Sequence, residues 1–193
     1  PAYADLSELP GPIDHAFVMV ASELVIPLLE PMARAGAKVV TIYSDGFGET
    51  GPEGMAVQDA LIARAKELGL RIIGPNSIGV ADLHSGMIIS VNAAFEAETL
   101  IAGELSLVSQ SGSMMGSLIA RANARGFGFA KSVSVGNEAD VTVGEVIDAL
   151  VDDDQTKVIL LFLETIRDSV QLGVALERAR AKNKPVIAYK IGR

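Results

Sequence analysis

The sequence predicts an α/β protein built from two tandem doubly wound parallel-sheet units. Apolar runs of strand length alternate with segments in which apolar residues recur at i, i+3, i+4 and i+7, the spacing of a helix with one buried face. Strands that alternate with helices of about 10 to 15 residues imply βαβ crossovers and a parallel sheet. This order occurs twice, on either side of residues 80–102, where neither period is sustained. We therefore expect one unit in residues 1–95 and a second in residues 96–193.

The first unit is expected to contain three strands and two helices. The strands are predicted at residues 13–21, 37–43 and 70–73, which are rich in β-branched and apolar side chains. The first helix should begin at Ser22 as its cap and end before Gly36, and the second should open with Pro52 and end at Gly69.

The second unit shows the same pattern with clearer helix signals. Strands are predicted at residues 105–108, 129–135, 157–163 and 185–189, and an edge strand or hairpin arm is predicted at 87–91, in the irregular stretch before this unit. Thr142 and Glu145 have the spacing of a capping box, and Asp168 with Gln171 should cap the last helix. Met115, Leu118, Ile119 and Ala122 give the first helix of this unit its apolar face.

Composition excludes several classes of function. The chain has 49% hydrophobic and 21% charged residues, and its formal charge of −8 argues against a nucleic-acid surface. Because there is no cysteine, a disulfide framework, a thiolate nucleophile and a cysteine-ligated zinc are excluded. His15 and His84 are isolated and make a poor metal cluster. The apolar runs are too short to cross a membrane, and we expect a cytoplasmic protein.

Glycine and polar residues that could form a site collect in the loops that follow strands, whereas the loops after helices offer no such candidates. In open parallel sheets, ligands bind beyond the carboxyl ends of the strands, so this asymmetry predicts a functional site. The loops with these candidate site residues are 46–49 (with Gly46 and Glu49), 74–77 (Gly74, Pro75, Asn76 and Ser77), 109–113, 136–138 (Gly136, Asn137 and Glu138) and 164–165.

The turn at residues 109–113 joins a strand to a helix through small polar side chains. The free N–H groups of the first helical turn and the positive end of the helix dipole would favour a bound anion there. An ordinary serine-capped turn would have the same residues, because serine is a preferred N-cap.

Two acidic features receive different interpretations. Glu164 directly follows the most apolar strand, where we expect it to be buried and where it could orient an imidazole, act as a base, or cap the next turn. The run Asp152 to Asp154 lies between a helix and the next strand, at the wrong edge of the sheet for a site, and predicts a solvated acidic turn.

Three familiar α/β functions fit the sequence poorly. Ser111 could be an elbow nucleophile, but Ser109 and Ser113 replace its flanking glycines and both histidines precede it, against the order of a serine hydrolase. A flavin site would have few aromatic partners, since the chain has no Trp and three Tyr. A dinucleotide fingerprint is missing after the first strand.

Taken together, the loops resemble the NDP-forming acyl-CoA synthetases, which include the α subunit of succinyl-CoA synthetase. The similarity spans nearly the whole chain, in order, through residues 46–51, 74–79, 108–112, 134–140 and 154–164. It implies a Rossmann-like CoA-binding domain, present in part, followed by a flavodoxin-like succinyl-CoA-ligase domain. The implied reaction interconverts acyl-CoA, phosphate and ADP or GDP with free acid, CoA and nucleoside triphosphate, through an acyl phosphate and a phosphohistidine.

The resemblance also implies a role for each loop. Ser111 and Gly112 would hold the phosphate of the phosphohistidine, and Glu164 would be the catalytic carboxylate that hydrogen-bonds that histidine. The wider phosphate-binding turn would comprise Ser109, Gln110, Ser111, Gly112 and Ser113. Coenzyme A would contact Gly46, Glu49, Gly74, Pro75, Asn76 and Ser77, with Asn76 and Ser77 near its thiol, and Gly136, Asn137 and Glu138 would form a further loop of the site.

The sequence departs from the family pattern at both ends, so we expect a fragment of a longer polypeptide. From the resemblance we expect it to lack the N-terminal half of the CoA-binding domain, the phosphohistidine segment and the ATP-grasp domain, and ATP or ADP with Mg would bind only through these absent parts. The fragment by itself is expected to be inactive. Its expected partners are an acid or acyl-CoA and an ATP-grasp domain or subunit, and the resemblance is compatible with a homo-oligomer.

Two alternatives remain for its function. The chain could be a CoA-binding regulatory module of a protein lysine acyltransferase with a degenerate synthetase region. It could also be a structural or dimerisation fragment that binds no anion at the 109–113 turn.

Overall fold

A computed structural model describes residues 1–192 as nine strands, five α-helices and three short 3₁₀ helices. The strands are β1 (His15–Val18), β2 (Val39–Ile42), β3 (Arg71–Ile73), β4 (Gly79–Asp82), β5 (Met87–Ser90), β6 (Ala102–Ser109), β7 (Phe129–Ser134), β8 (Val158–Leu163) and β9 (Val186–Lys190). The helices are α1 (Ser22–Arg34), α2 (Pro52–Glu67), α3 (Gly112–Asn123), α4 (Val143–Val151) and α5 (Ser169–Ala181).

The strands form two sheets. The first has the order β1-β2-β3 and is parallel throughout. The second has the order β5-β4-β7-β6-β8-β9, in which β7, β6, β8 and β9 are parallel and the β4–β5 hairpin joins them antiparallel at one edge. The predicted α/β class with tandem parallel-sheet units is confirmed, with the addition of this antiparallel hairpin.

The hairpin lies where the sequence shows no sustained period. The expected edge strand near residues 87–91 is present as β5, but β4 was not predicted, because four residues beside a glycine give too short a pattern. Both strands precede the predicted boundary between residues 95 and 96, yet β4 pairs with β7 of the second sheet. The boundary itself stays a prediction.

Each sheet has its own apolar core. In the first unit, α1 and α2 pack on the sheet through buried residues such as Leu29, Ile42 and Leu61. In the second unit, α4 and α5 cover one face, where Val108 and Ile159 are buried, and α3 covers the other face over Leu107. The second sheet is therefore enclosed between helices on both faces, as a doubly wound fold requires.

Helix ends follow the sequence signals in most places. Thr142 and Glu145 form the predicted capping box at α4, and the Asp168 carboxylate accepts from the Gln171 N–H at 2.9 Å at the start of α5. The Ser22 cap was predicted wrongly. Ser22 is the first residue of α1, no side chain caps this helix, and its hydroxyl lies beside Gly46 instead.

Among the described helices, none combines the length and the apolar character that a bilayer-spanning helix requires.

Candidate functional site

The carboxyl ends of three adjacent strands carry the site residues predicted for the second unit. β6 lies between β7 and β8, and Ser109 at its end is in register with Ser134 of β7 and Phe162 of β8. The turn after β6, the loop after β7 and Glu164 after β8 therefore emerge at one edge of the sheet.

The turn after β6 leaves two helical N–H groups without an acceptor. Ser111 caps α3, and its hydroxyl accepts from the Met114 N–H at 3.4 Å. The Ser111 N–H is already engaged by the Ser109 hydroxyl at 3.2 Å. The Gly112 and Ser113 N–H groups have no partner among residues 1–192 and lie at least partly exposed. Together with the helix dipole, they make a position where an anion can bind.

The Gln110 side chain turns away from that position. Gln110 is 8% exposed, and its N–H donates to the Phe162 carbonyl at 3.1 Å. Its side-chain amide lies against Glu138 and the segment that follows β8. The sequence predicts that Gln110 belongs to the phosphate-binding turn, but its N–H and side-chain amide are hydrogen-bonded to other parts of the protein and are not available to a phosphate.

Glu138 is a buried carboxylate in the loop after β7. Burial raises the pKa of Glu138 above its ordinary value, against the opposing effect of hydrogen bonds from the Val143 N–H and the Gln110 side chain. The Val143 N–H belongs to the first turn of α4, so Glu138 also compensates the N-terminus of that helix.

Glu164 is exposed, contrary to the burial expected at the end of an apolar strand. β8 ends at Leu163, and the chain leaves the sheet before the Glu164 side chain is covered. Within residues 1–192 the Glu164 carboxylate accepts no hydrogen bond, whereas its N–H donates to Gln110 Oε1 at 2.6 Å. The carboxylate is thus free to meet a group from outside the described chain.

The loop after β2 reaches across to the second unit. The Glu49 carboxylate accepts from the Gly46 N–H at 2.5 Å, from the Phe47 N–H at 3.1 Å and from the Asn137 side-chain amide. Desolvation works to raise the pKa of Glu49, but these hydrogen bonds outweigh it and hold the pKa below its ordinary value. Asn137 also donates to Gln58 Oε1 at 3.1 Å, so one amide ties α2 and the β2 loop to the β7 loop.

The loop after β3 presents one of its predicted residues and buries another. Asn76 is exposed with a φ of 58°. Ser77 is fully buried, and its hydroxyl donates to the Ser134 carbonyl at 2.5 Å and accepts from the Gly79 N–H at 3.1 Å. Gly74 and Pro75 are buried, and the Pro75 carbonyl accepts from the Asn137 N–H at 2.9 Å.

Gly136 brings the loop after β7 into close contact with the loop after β3. Its φ is 53°, and a Cβ at this position would lie 2.2 Å from the Pro75 carbonyl oxygen and 2.6 Å from that of Asn76. Only glycine fits both the backbone angle and the space.

The loop after β3 also touches the N-terminus of α3. A Cβ on Gly112 would lie 2.6 Å from Ile78 Cγ2, so the backbone of Gly112 packs directly on the Ile78 side chain. The loop that the sequence assigns to coenzyme A and the turn that it assigns to phosphate are therefore contiguous.

Sequence reasoning missed the ion pairs that join the units. Arg71 of β3 donates to Asp140 at 2.9 Å and to Glu145 at 2.9 Å, and the Ile72 N–H donates to Asp140 at 2.7 Å. No local pattern marks these residues, because the partners are about 70 positions apart in the chain.

The remaining titratable candidates lie away from the site. His15 Nε2 lies 2.8 Å from the buried Thr41 hydroxyl in the first sheet, and His84 Nε2 lies 2.8 Å from the Gly103 carbonyl, at the amino end of β6. Asp152 pairs with Arg178 and Asp153 with Lys131, both outside the site. Within residues 1–192 no three metal-ligating side chains converge.

Family comparisons identify each half of the chain. Residues 1–82 match the CoA binding domain, and residues 102–193 match the succinyl-CoA ligase like flavodoxin domain. The chain therefore combines a CoA-binding unit with a ligase-type flavodoxin unit. It belongs to the NDP-forming acyl-CoA synthetase family, as the sequence resemblance predicted.

Known proteins of this family resemble the chain along its whole length. The α subunit of the ADP-forming acetate–CoA ligase I of Pyrococcus furiosus is 35% identical over 99% of this chain, which spans 40% of the length of that relative. The crystal structure of PH0766 from Pyrococcus horikoshii OT3 superposes with a TM-score of 0.91 at 33% identity, over 99% of this chain and 42% of that one. The dinucleotide-forming acetyl-coenzyme A synthetase 1 of Candidatus Korarchaeum cryptofilum, in complex with phosphate and ADP, superposes at 0.88 with 27% identity, over 98% and 40% respectively.

Proposed function

We propose that the chain forms the CoA-binding and phosphate-handling part of an ADP-forming acyl-CoA ligase. The whole enzyme would convert acyl-CoA, phosphate and ADP into free acid, CoA and ATP, reversibly. The observation that supports this most directly is the contact between Ile78 and Gly112, because it makes the proposed coenzyme A loop and the proposed phosphate site neighbours.

The geometry suits attack of phosphate on a thioester. The Gly112 and Ser113 N–H groups would hold the phosphate, and the exposed Asn76 loop next to them would hold the thioester end of acyl-CoA. A phosphate oxygen would form a bond to the acyl carbon as the carbon–sulfur bond breaks, which yields acyl phosphate and CoA thiolate. Ser77 would support the loop from beneath rather than contact the thiol, because its hydroxyl is bound to Ser134.

The phosphoryl group would then pass to a histidine held by Glu164. His15 and His84 are unsuited to this role, since both are hydrogen-bonded away from the turn. We propose that another part of the full protein supplies the histidine and that the exposed Glu164 carboxylate orients its imidazole. An ATP-grasp domain or partner subunit would bind ADP with Mg, and the enzyme would work in the cytoplasm, where CoA and ADP are both present.

The test is a titration of the isotopically labelled chain with phosphate and, separately, with CoA. Phosphate should shift the Gly112 and Ser113 amide signals in a saturable manner, and CoA should shift the Asn76 loop. Ser113→Ala should weaken phosphate binding through the loss of a nearby hydroxyl. Ser117→Ala, the matched change at an exposed serine further along α3, should leave it unaltered.

Absence of any saturable shift at Gly112 and Ser113 would overturn the phosphate assignment. In that event the structural or dimerisation role would be favoured. In the full-length protein, phosphorylation of a histidine on incubation with acyl-CoA and phosphate distinguishes the ligase from a CoA-binding regulatory module.

A further inference from the structure

Every polar position of the Gln110 side chain is occupied. Its Oε1 accepts from the Glu164 N–H at 2.6 Å and the Thr165 N–H at 2.9 Å. Its Nε2 donates to Glu138 Oε2 at 2.6 Å and to the Thr165 carbonyl at 2.9 Å. A side-chain amide has two donor hydrogens and two acceptor lone pairs, so this set is complete.

These contacts are the anchor of the segment after β8. Among residues 1–192, the only hydrogen bonds to residues 164–167 are the three that Gln110 makes with Glu164 and Thr165. Both residues are exposed, while Gln110 itself is buried. The segment is therefore held from beneath by one side chain rather than by packing around it.

Glu138 fixes which way the Gln110 amide points. The Glu138 carboxylate can only accept, and its other oxygen accepts from the Val143 N–H at 2.6 Å, at the start of α4. The Gln110 NH₂ group must therefore face Glu138, which leaves the Gln110 carbonyl oxygen facing Glu164 and Thr165. Other charged groups near Glu138 are Arg167 and Asp168, from the segment after β8.

We infer that Gln110 is a positioning residue that sets Glu164 relative to the α3 N-terminus, with Glu138 as its orienting partner. The inference rests on the proposed function for the role of Glu164. Residues 110–112 thus serve both parts of the proposed site. The Gly112 N–H belongs to the anion position, and the Gln110 side chain holds the Glu164 backbone. Because Gln110 is fixed in β6's own turn, the two parts of the proposed site keep a constant separation.

The first experiment measures amide hydrogen exchange in Gln110→Met, a neutral change of similar length. The variant should fold, because water can replace the lost partners of the exposed Glu164 and Thr165, and the buried Glu138 keeps its hydrogen bond from the Val143 N–H. Protection of the Glu164 and Thr165 amides should fall by about tenfold or more, while protection in α3 and α5 stays near the wild-type value. Unchanged protection at these two amides would overturn the inference.

A second variant supplies a pH profile that a general loss of packing would not produce. Gln110→Glu places a carboxyl beside Glu138 and the Thr165 carbonyl, so its ionised form loses both donors and repels Glu138. Protection factors at Glu164 and Thr165 should be low at pH 8 and recover at pH 5, where one shared proton restores a donor to Glu138. A pH-independent loss would indicate that Gln110 acts only through packing.

Controls separate this inference from the proposed function. Gln155→Glu makes the same chemical change at an exposed glutamine whose side chain contacts Lys131 at 3.0 Å, and it should leave Glu164 and Thr165 unaltered at both pH values. Phosphate titration of Gln110→Met should still shift Gly112 and Ser113. If wild-type chain binds no phosphate but exchange responds as expected, the phosphate assignment fails and the positioning role stands.

Discussion

Two buried serines show how differently the same side chain can act in this protein. Ser77 and Ser132 are both fully buried. The Ser77 hydroxyl has a donor and an acceptor partner, whereas the Ser132 hydroxyl, in the centre of β7, has no partner among the described residues. A buried hydroxyl without a hydrogen bond costs free energy, and one with its partners contributes to stability.

We therefore expect alanine substitutions at these positions to have opposite effects. Ser77→Ala should lower the free energy of unfolding by about 1 to 3 kcal/mol, because it leaves the Ser134 carbonyl and the Gly79 N–H unpaired. Ser132→Ala should leave it unchanged or raise it by up to about 1 kcal/mol. Urea unfolding of the two variants measures both effects, and equal destabilisation would contradict the assignment of Ser132 as unpartnered.

At the level of secondary-structure elements, the proposed site depends on how α3 meets the loop between β3 and β4. Because Gly112 has no side chain, the Ile78 side chain packs directly against its backbone. Nearby, the Asn92 amide lies 3.4 Å from the Gly112 carbonyl and packs against Gly116. The two glycines of α3 thus allow the Ile78 and Asn92 side chains to pack close to the helix backbone.

Gly112→Ala should push the loop away from α3, because its Cβ would lie 2.6 Å from Ile78 Cγ2. We expect a loss of about 1 to 3 kcal/mol in unfolding free energy, typical of overpacking, together with weaker phosphate binding. The double variant Gly112→Ala with Ile78→Ala should recover much of the loss. Urea unfolding and phosphate titration test this.

Gly173→Ala is the matched control for that change. Gly173 lies in α5 with no atom within 4 Å of an added Cβ, so alanine should raise stability by about 0.5 to 1 kcal/mol through its better helix propensity. A similar loss at both glycines would show that the Ile78 contact is unimportant.

At the scale of the whole molecule, the two units are joined by polar contacts at the site edge. Glu49 with Asn137, and Arg71 with Asp140 and Glu145, connect the first sheet to the loop and helix after β7. A second charged cluster lies at the opposite end of the second sheet, where Lys131 contacts Asp153 at 2.9 Å and Asp82 at 3.5 Å.

The Lys131 cluster predicts a loss of stability in acid. Desolvation works to raise the pKa of Asp153, but hydrogen bonds from Thr156 and Lys131 hold it below its ordinary value of 3.8. The pKa of Asp82 is likewise lowered below 3.8, by the Ser85 N–H and Lys131 acting against desolvation. A carboxyl whose pKa is lower in the folded state stabilises the fold above pH 3.8, and this contribution disappears as the pH falls through the folded value.

Lys131→Met should therefore lower the unfolding free energy at pH 7 by about 1 to 3 kcal/mol and make its further decline below about pH 4 shallower. Lys66→Met, at an exposed lysine of α2 with no acidic partner within residues 1–192, should keep the wild-type dependence on pH. Unfolding titrations between pH 7 and pH 3 make the comparison. A wild-type slope in Lys131→Met would contradict the role of this cluster.

The sequence by itself determined the α/β class, all five helices, most strands and the family, because these rest on local periodicity, capping residues and glycine-rich loops at strand ends. Thr142 with Glu145 illustrates this, since a capping box is complete within four residues. The β4 strand was not predictable in this way because its pattern is too short, and the exposure of Glu164 depends on where the chain leaves the sheet after β8. The bonds of Asn137 were not predictable because its partners Glu49 and Gln58 lie far away in the chain.

Tertiary structure alone decided which loops touch and what each side chain in them does. The turn at 109–113 read as one phosphate-binding unit, but folding divides it: Gly112 and Ser113 offer free N–H groups, while Gln110 is bound to Glu138, Glu164 and Thr165. The reason is physical. A sequence fixes where a backbone can offer hydrogen bonds, whereas the partners that satisfy a buried amide are chosen only when strands β6, β7 and β8 are assembled side by side.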